Sequence, residues 1–244
     1  MKVAVLADIH GNSWALDAVL ADAERSGASS FVDLGDCLFG PLDPRGTADR
    51  LLELGATTVR GNGDRAVLED EQSPSAVYTR STLERAHLEW LSALPSVQTL
   101  DGGILACHGS PTDDTSYLLE EVRPRGARHR HPADVDELLS SVEASIVLCG
   151  HTHVPRLVPL PSGKVVVNPG SVGYPAYSEE RPYPHVMESG SPHARYALLT
   201  AAGGTYDVEL RAISYDWEAA AAAARDRGRA DWEYALATGL AQPV

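Results

Sequence analysis

Cysteine and lysine are both scarce in this chain of 244 residues, and no apolar run is long enough to span a membrane. The three cysteines, Cys37, Cys107 and Cys149, are an odd number without the spacing of a disulfide framework, which fits a reducing compartment. Lys2 and Lys164 are the only lysines, so nearly all positive charge is arginine, and 34 acidic against 20 basic residues give a formal charge of −14. Affinity for duplex DNA comes from clustered Lys and Arg that neutralise backbone phosphates, so this balance excludes general DNA binding. It leaves open a small anionic substrate, because divalent cations reverse the local potential inside an acidic protein. The N-terminus passes from Met1-Lys2 into a short apolar stretch, without the longer segment and cleavage site of a signal peptide. The expectation is a soluble, unexported, cytoplasmic protein with no membrane partner.

Short apolar runs alternate with helical patterns, as in a layered α/β fold. Residues 3–7 read as a buried strand, and Leu16, Val19, Leu20 and Ala23 recur at helical spacing behind a polar start at Asn12-Ser13. Further strands are expected at 31–34, 57–60, 97–100, 104–107, 145–149, 165–167, 196–200 and 206–213. Helices are expected at 47–54, 81–94 and 132–142, with a C-terminal helical segment at about 216–238. The proline-rich stretches 155–161 and 174–192 are the candidate linkers; since strands continue on either side of them, residues 1–244 read as a single domain.

Five segments place metal-binding residue types directly after an apolar strand: Asp8-Ile9-His10, Gly35-Asp36, Gly61-Asn62, Cys107-His108 and Gly150-His151-Thr152-His153. Loops at strand C-terminal ends of an α/β sheet gather at one edge, where such folds build sites. Imidazoles, carboxylates and an amide oxygen suit hard-to-borderline divalent metals without a thiolate. Any one segment alone is more often a turn or a cap. Their order and placement as a set make the metal site. His151 and His153 would point the same way if the chain there is extended, and Cys37 and Cys107 would then face away from their neighbours Asp36 and His108. The histidines at 87, 129, 131, 185 and 193 read as solvated or locally bonded, and Trp14, Trp217 and Trp232 as packing residues.

The ordered set of motifs resembles the calcineurin-like metallophosphoesterases, in particular their small bacterial phosphodiesterase branch, over about residues 1–175. The segment Asn168-Pro169-Gly170-Ser171-Val172-Gly173 is also typical of that branch. The resemblance implies a four-layer α/β/β/α sandwich of two mixed β-sheets. It implies that Asp8, His10, Asp36 and His153 hold one divalent ion while Asp36, Asn62, His108 and His151 hold a second, with Asp36 bridging. Manganese is the first choice, with Fe, Zn, Ni or Co as alternatives. The implied activity is hydrolysis of phosphodiester or nucleotide substrates by attack of a metal-bridging hydroxide on phosphorus. Asn62 would also orient a phosphate oxygen, and Asp64 would hold a histidine ligand in its tautomer.

The sequence departs from the family at Gly63, where many members carry a histidine read as the acid for the leaving group. A glycine cannot transfer a proton, so turnover should favour good leaving groups unless water or a loop residue supplies it, and Gly63→His is expected to restore some of the difference. Residues 174–193 are longer than usual for the branch. They read either as a tolerated insertion or as a lid in which Arg181 meets a second phosphate or a base and a histidine replaces the missing acid. The rival functions are a dinucleoside polyphosphate hydrolase, a phosphomonoesterase, and a non-catalytic interaction module of the same fold, which would have eroded ligands. The sequence leaves the oligomeric state open.

Overall fold

The computed structural model of the chain describes residues 2–202 and 205–242. The chain begins with β1 (Lys2–Leu6), α1 (Ser13–Arg25), β2 (Ser30–Asp33), α2 (Pro44–Leu54) and β3 (Thr57–Thr58). Three short helices follow, α3 (Asn62–Leu68), α4 (Pro74–Thr82) and α5 (Arg85–Ala93), then β4 (Val97–Leu100) and β5 (Ile104–Cys107). A hairpin of β6 (Glu120–Arg123) and β7 (Gly126–His129) precedes α6 (Pro132–Leu138), β8 (Ile146–Leu148), β9 (Arg156–Pro159) and β10 (Val165–Asn168). A second hairpin, β11 (Ala176–Glu179) and β12 (His185–Glu188), leads to the long pair β13 (Ala194–Ala202) and β14 (Thr205–Ile213), and α7 (Trp217–Asp226) and α8 (Ala230–Thr238) close the order.

Two five-stranded mixed sheets result, ordered β14-β13-β1-β2-β3 and β4-β5-β8-β10-β9. Within each, three strands are parallel: β1, β2 and β3 in the first, β5, β8 and β10 in the second. The strand period of two fixes the layers. Val3, Val5 and Ala7 face Ile104, Ala106, Ile146 and Leu148 across the interior between the sheets. The alternate residues Ala4 and Leu6 pack on Leu16 and Val19 of α1 and Leu51 of α2. On the far face of the second sheet, Val147 and Val166 pack on Val135 of α6 and on Leu139. The layers are therefore α/β/β/α. The C-terminal helices add a fourth apolar cluster around Tyr174, Ala220, Trp232 and Leu236. No described helix is long and apolar enough to cross a membrane.

Several expected elements are corrected. The helix read at 81–94 is two helices, because Leu83 and Glu84 are extended. His87 Nδ1 accepts the Glu84 amide at 3.2 Å and so starts α5 afresh. The strand at 57–60 keeps two residues, since Gly61 turns the chain directly into α3. Both proline-rich stretches contain paired strand residues. Residues 156–159 pair with β10, and the prolines of 174–193 fall outside the paired residues of β11 and β12, where no ladder amide is needed.

Candidate metal centre

All six parallel strands end at the same edge, and the candidate ligands follow their C-terminal ends. Asp8 and His10 follow β1, Asp36 follows β2, Asn62 follows β3, His108 follows β5, and His151 and His153 follow β8. The loop after β10 ties these segments together. Asn168 Nδ2 donates to Gly150 O at 2.8 Å and to Thr152 Oγ1 at 3.1 Å, while Ser171 Oγ donates to Asp8 O at 2.8 Å. Gly173 lies so close that a Cβ there would meet Ile9 O at 1.8 Å, which requires glycine.

Asp8, His10, Asp36, His151 and His153 all adopt left-handed backbone, with φ between 53° and 68°. That conformation is costly for residues with a Cβ and clusters at functional sites. It also corrects the expectation of an extended His-x-His segment: a bent loop aims these side chains, not strand alternation. Ligand atoms of Asp8, His10 and His153 lie within 4.8 Å of one another, as do those of Asp8, Asp36 and His108. The Asp36 carboxylate turns one oxygen to each side, Oδ2 to His10 Nε2 at 3.8 Å and Oδ1 to His108 Nε2 at 3.5 Å. Asn62 Oδ1 lies 2.9 Å from His108 Nε2. His151 is outside both close groups, its ring centroid 5.0 Å from that of His108.

Main-chain carbonyls set the histidine tautomers. His10 Nδ1–H donates to Phe39 O at 2.7 Å, His108 Nδ1–H to Leu34 O at 2.8 Å, and His151 Nε2–H to Thr115 O at 3.0 Å. A carbonyl only accepts, so the lone pairs are on His10 Nε2, His108 Nε2 and His151 Nδ1. In the neutral ring His108 Nε2 faces the oxygens of Asn62 and Asp36, acceptor against acceptor, and although burial opposes it, the charges of Asp36 and Asp8 raise the pKa of this histidine. His10 Nε2 stands 3.1 Å from His153 Nε2, which is itself 3.4 Å from Asp8 Oδ1, and His153 Nδ1 is buried without a partner. Two buried carboxylates and three buried imidazoles converge with too few protons between them, an arrangement that divalent cations would satisfy. Burial opposes ionisation of Asp8, but the charges of His153, His108 and His10 and the His153 hydrogen bond hold it well below the usual carboxylate range. Burial, then the charges of neighbouring histidines, brings His10 and His151 down to about 4, which leaves both neutral and ligand-ready at neutral pH.

Among the described residues Asp64 makes no hydrogen bond or ion pair with a histidine, which corrects the role expected of it. Oδ2 accepts the amides of Asp36 and Gly61 at 2.9 and 3.1 Å, and Oδ1 those of Cys37 and Leu38 at 3.0 and 3.4 Å. It clamps the loop that carries Asp36. Burial, then the charge of Asp36, pushes its carboxyl up to about 7 against the pull of those amides. The cysteines are free and buried, and neither ligand group includes one among the described residues. Cys37 Sγ donates to Asp33 Oδ2 at 3.2 Å.

Residues 1–188 match the calcineurin-like phosphoesterase superfamily domain. The chain belongs to this superfamily. It is 26% identical over 198 residues to an uncharacterized protein of Methanocaldococcus jannaschii, covering 71% of this chain and 76% of that protein. A metallophosphoesterase from Sphaerobacter thermophilus aligns with a TM-score of 0.77 and 25% identity, over 98% of this chain and 99% of its own. A hypothetical protein from Pyrococcus horikoshii OT3 aligns with a TM-score of 0.74 over 98% of each chain; at 21% identity it bears on the fold alone.

In this superfamily member His10, Asp36, Asn62, His151 and His153 line a cleft of about 1380 Å³, with Phe39, Arg65, Tyr117, Arg123, Tyr177, Arg181, Arg229 and Trp232 in its walls. That volume exceeds what one phosphate fills and leaves room for a nucleotide-sized remainder. Trp232 is buried and stacked on Tyr174 at 3.7 Å, a packing residue as expected. Of the loop histidines, His185 is buried against Tyr117, and His193 pairs with the Trp217 ring. Neither lines the cleft, which removes them as substitutes for the missing acid, whereas Arg181 does line it. Phe39, Tyr117 and Tyr177 carried no signal in the sequence, because distant loops bring them to the cleft.

Proposed function

We propose that the chain hydrolyses phosphodiester or nucleotide substrates with two divalent cations, manganese being the first choice. Asp8, His10, Asp36 and His153 would hold one cation, and Asp36, Asn62, His108 and His151 the other. When bound, such a pair supplies a nucleophile from water at neutral pH and neutralises the non-bridging phosphate oxygens. The observation that carries this reading is the buried convergence of lone pairs from Asp8, His10, Asp36, His108 and His153 without the protons to satisfy them.

The chain's own residues prepare the reaction. Asp64 fixes the amides of residues 36–38, so the Asp36 carboxylate is held before substrate arrives. The Gly63 amide donates to Asp36 Oδ1 at 2.7 Å and prevents its rotation. Asn62 turns its oxygen to His108, so its amide N–H groups are left to donate to a phosphate oxygen in the cleft. The leaving group departs into open cleft, with water as its proton source. The deciding experiment is a panel of aryl diesters, dinucleoside polyphosphates, nucleotides and monoesters, assayed with manganese-loaded protein, chelated protein and Asp36→Asn. The expected result is diester or nucleotide turnover that chelation abolishes and Asp36→Asn lowers by about 100-fold or more. Full activity in either of the latter would refute the mechanism.

A further inference from the structure

His185, Tyr117 and Tyr177 belong to no motif, yet they form a hydrogen-bonded chain that ends on His151. His185 is buried on β12, and its Nδ1–H donates to Tyr183 O at 2.7 Å. Its Nε2 therefore carries a lone pair, to which the Tyr117 hydroxyl donates at 3.1 Å. That hydroxyl has only one proton, so the 2.7 Å contact between Tyr117 and Tyr177 is donated by Tyr177. Tyr177 likewise has one proton, so its hydroxyl shares that proton between Tyr117 and the His151 carbonyl at 3.2 Å, the longer arm of a three-centre bond.

His151 needs such support. Its left-handed backbone, φ 68°, persists only where the surroundings hold it. The His151 amide donates to Asp8 Oδ2 at 3.1 Å, its carbonyl faces Tyr177, and its ring is held by Thr115 O. The edge of the Tyr117 ring packs on it at 5.0 Å between centroids. Together these contacts fix the direction of Nδ1, the nitrogen left to bind a cation.

We propose that Tyr117, Tyr177 and His185 are positioning residues for His151, through which the hairpin of β11 and β12 sets the affinity of the second cation. The proposal rests on the two-cation reading above. It distinguishes the two sites: the His10 and His108 rings are held by the carbonyls of Phe39 and Leu34, whereas His151, besides Thr115 O and Asp8, has its carbonyl against the Tyr177 hydroxyl of the hairpin; Tyr177→Phe removes that contact and keeps the ring that packs on His153.

The test is manganese titration of the metal-free full chain by calorimetry, comparing Tyr177→Phe, His185→Leu and His185→Gln, with His151→Ala to mark which ion His151 holds. Tyr177→Phe and His185→Leu should raise the Kd of the marked ion about 10-fold or more and leave the other ion within about twofold. His185→Gln keeps an acceptor for Tyr117 and should bind like the unsubstituted chain. In cobalt-loaded protein, Tyr177→Phe should alter the visible absorption of the marked ion even at saturation, which a loss of stability alone would not do. Unchanged affinities, or equal weakening of both ions, would overturn the proposal while leaving the two-cation reading intact. An unsubstituted chain that binds fewer than two ions overturns that reading first. Circular dichroism of each variant shows that the fold persists.

Discussion

At the scale of residues, Gly63 is decided by its neighbours. A Cβ there would lie 2.7 Å from Phe39 Cβ and 3.0 Å from Asp36 Oδ1, so Phe39 occupies the room a side chain would need. Gly63→His is therefore not the rescue that family comparison suggests. The substitution should destabilise the protein by about 1–3 kcal/mol through overpacking, measurable by urea unfolding, without accelerating alkyl diesters. In the unsubstituted protein the rate should depend steeply on leaving-group pKa, with aryl diesters far ahead of alkyl ones. A flat dependence, with chemistry shown to be rate-limiting, would mean that a residue of the cleft already acts as the acid.

At the scale of elements, α1 is fastened to the first sheet by Asp22. It accepts from the Tyr196 hydroxyl of β13 at 2.6 Å and from Arg211 of β14 at 2.8 Å. Burial opposes its ionisation, but the Tyr196 hydrogen bond and the Arg211 charge lower its pKa below the ordinary value. Because the folded pKa is depressed, the contribution is complete above the unfolded value of about 3.9 and is lost as pH falls through the folded one. Asp22→Asn should cost about 1.5 kcal/mol at pH 7, and the difference from the unsubstituted protein should shrink below about pH 4 in unfolding titrations. The second hairpin brings Arg181 to the cleft, where it forms no ion pair among the described residues. Arg181→Ala should lower kcat/KM for a nucleotide about 10-fold and leave a small aryl diester within about twofold. Equal effects on both substrates would show that Arg181 does not meet the distal part of the substrate.

For the whole molecule, cations that bind the folded state alone must stabilise it. Manganese at about 100 times its Kd adds about 2.7 kcal/mol per site, so Tm should rise with metal concentration and fall on chelation. Asp36→Asn should flatten that rise; an unchanged metal dependence would separate stabilisation from this site. The layered α/β class and most of the strands that lead to the site were legible in the sequence, because strand periodicity and turn residues are local properties. The break at Leu83-Glu84 and the hairpins of residues 120–129 and 176–188 were not legible, since their pairing partners and caps are chosen by packing. Asp64 was legible as a residue near the site but not in its role. Only the folded loops put its carboxylate against four amides and left the histidine tautomers to the carbonyls of Leu34, Phe39 and Thr115. Tertiary structure alone decided the contacts of Gly63, Tyr177 and His185, because each depends on a residue at least 24 positions away in the chain. Such proximity is set by long-range closure of the sheets, which no local pattern encodes.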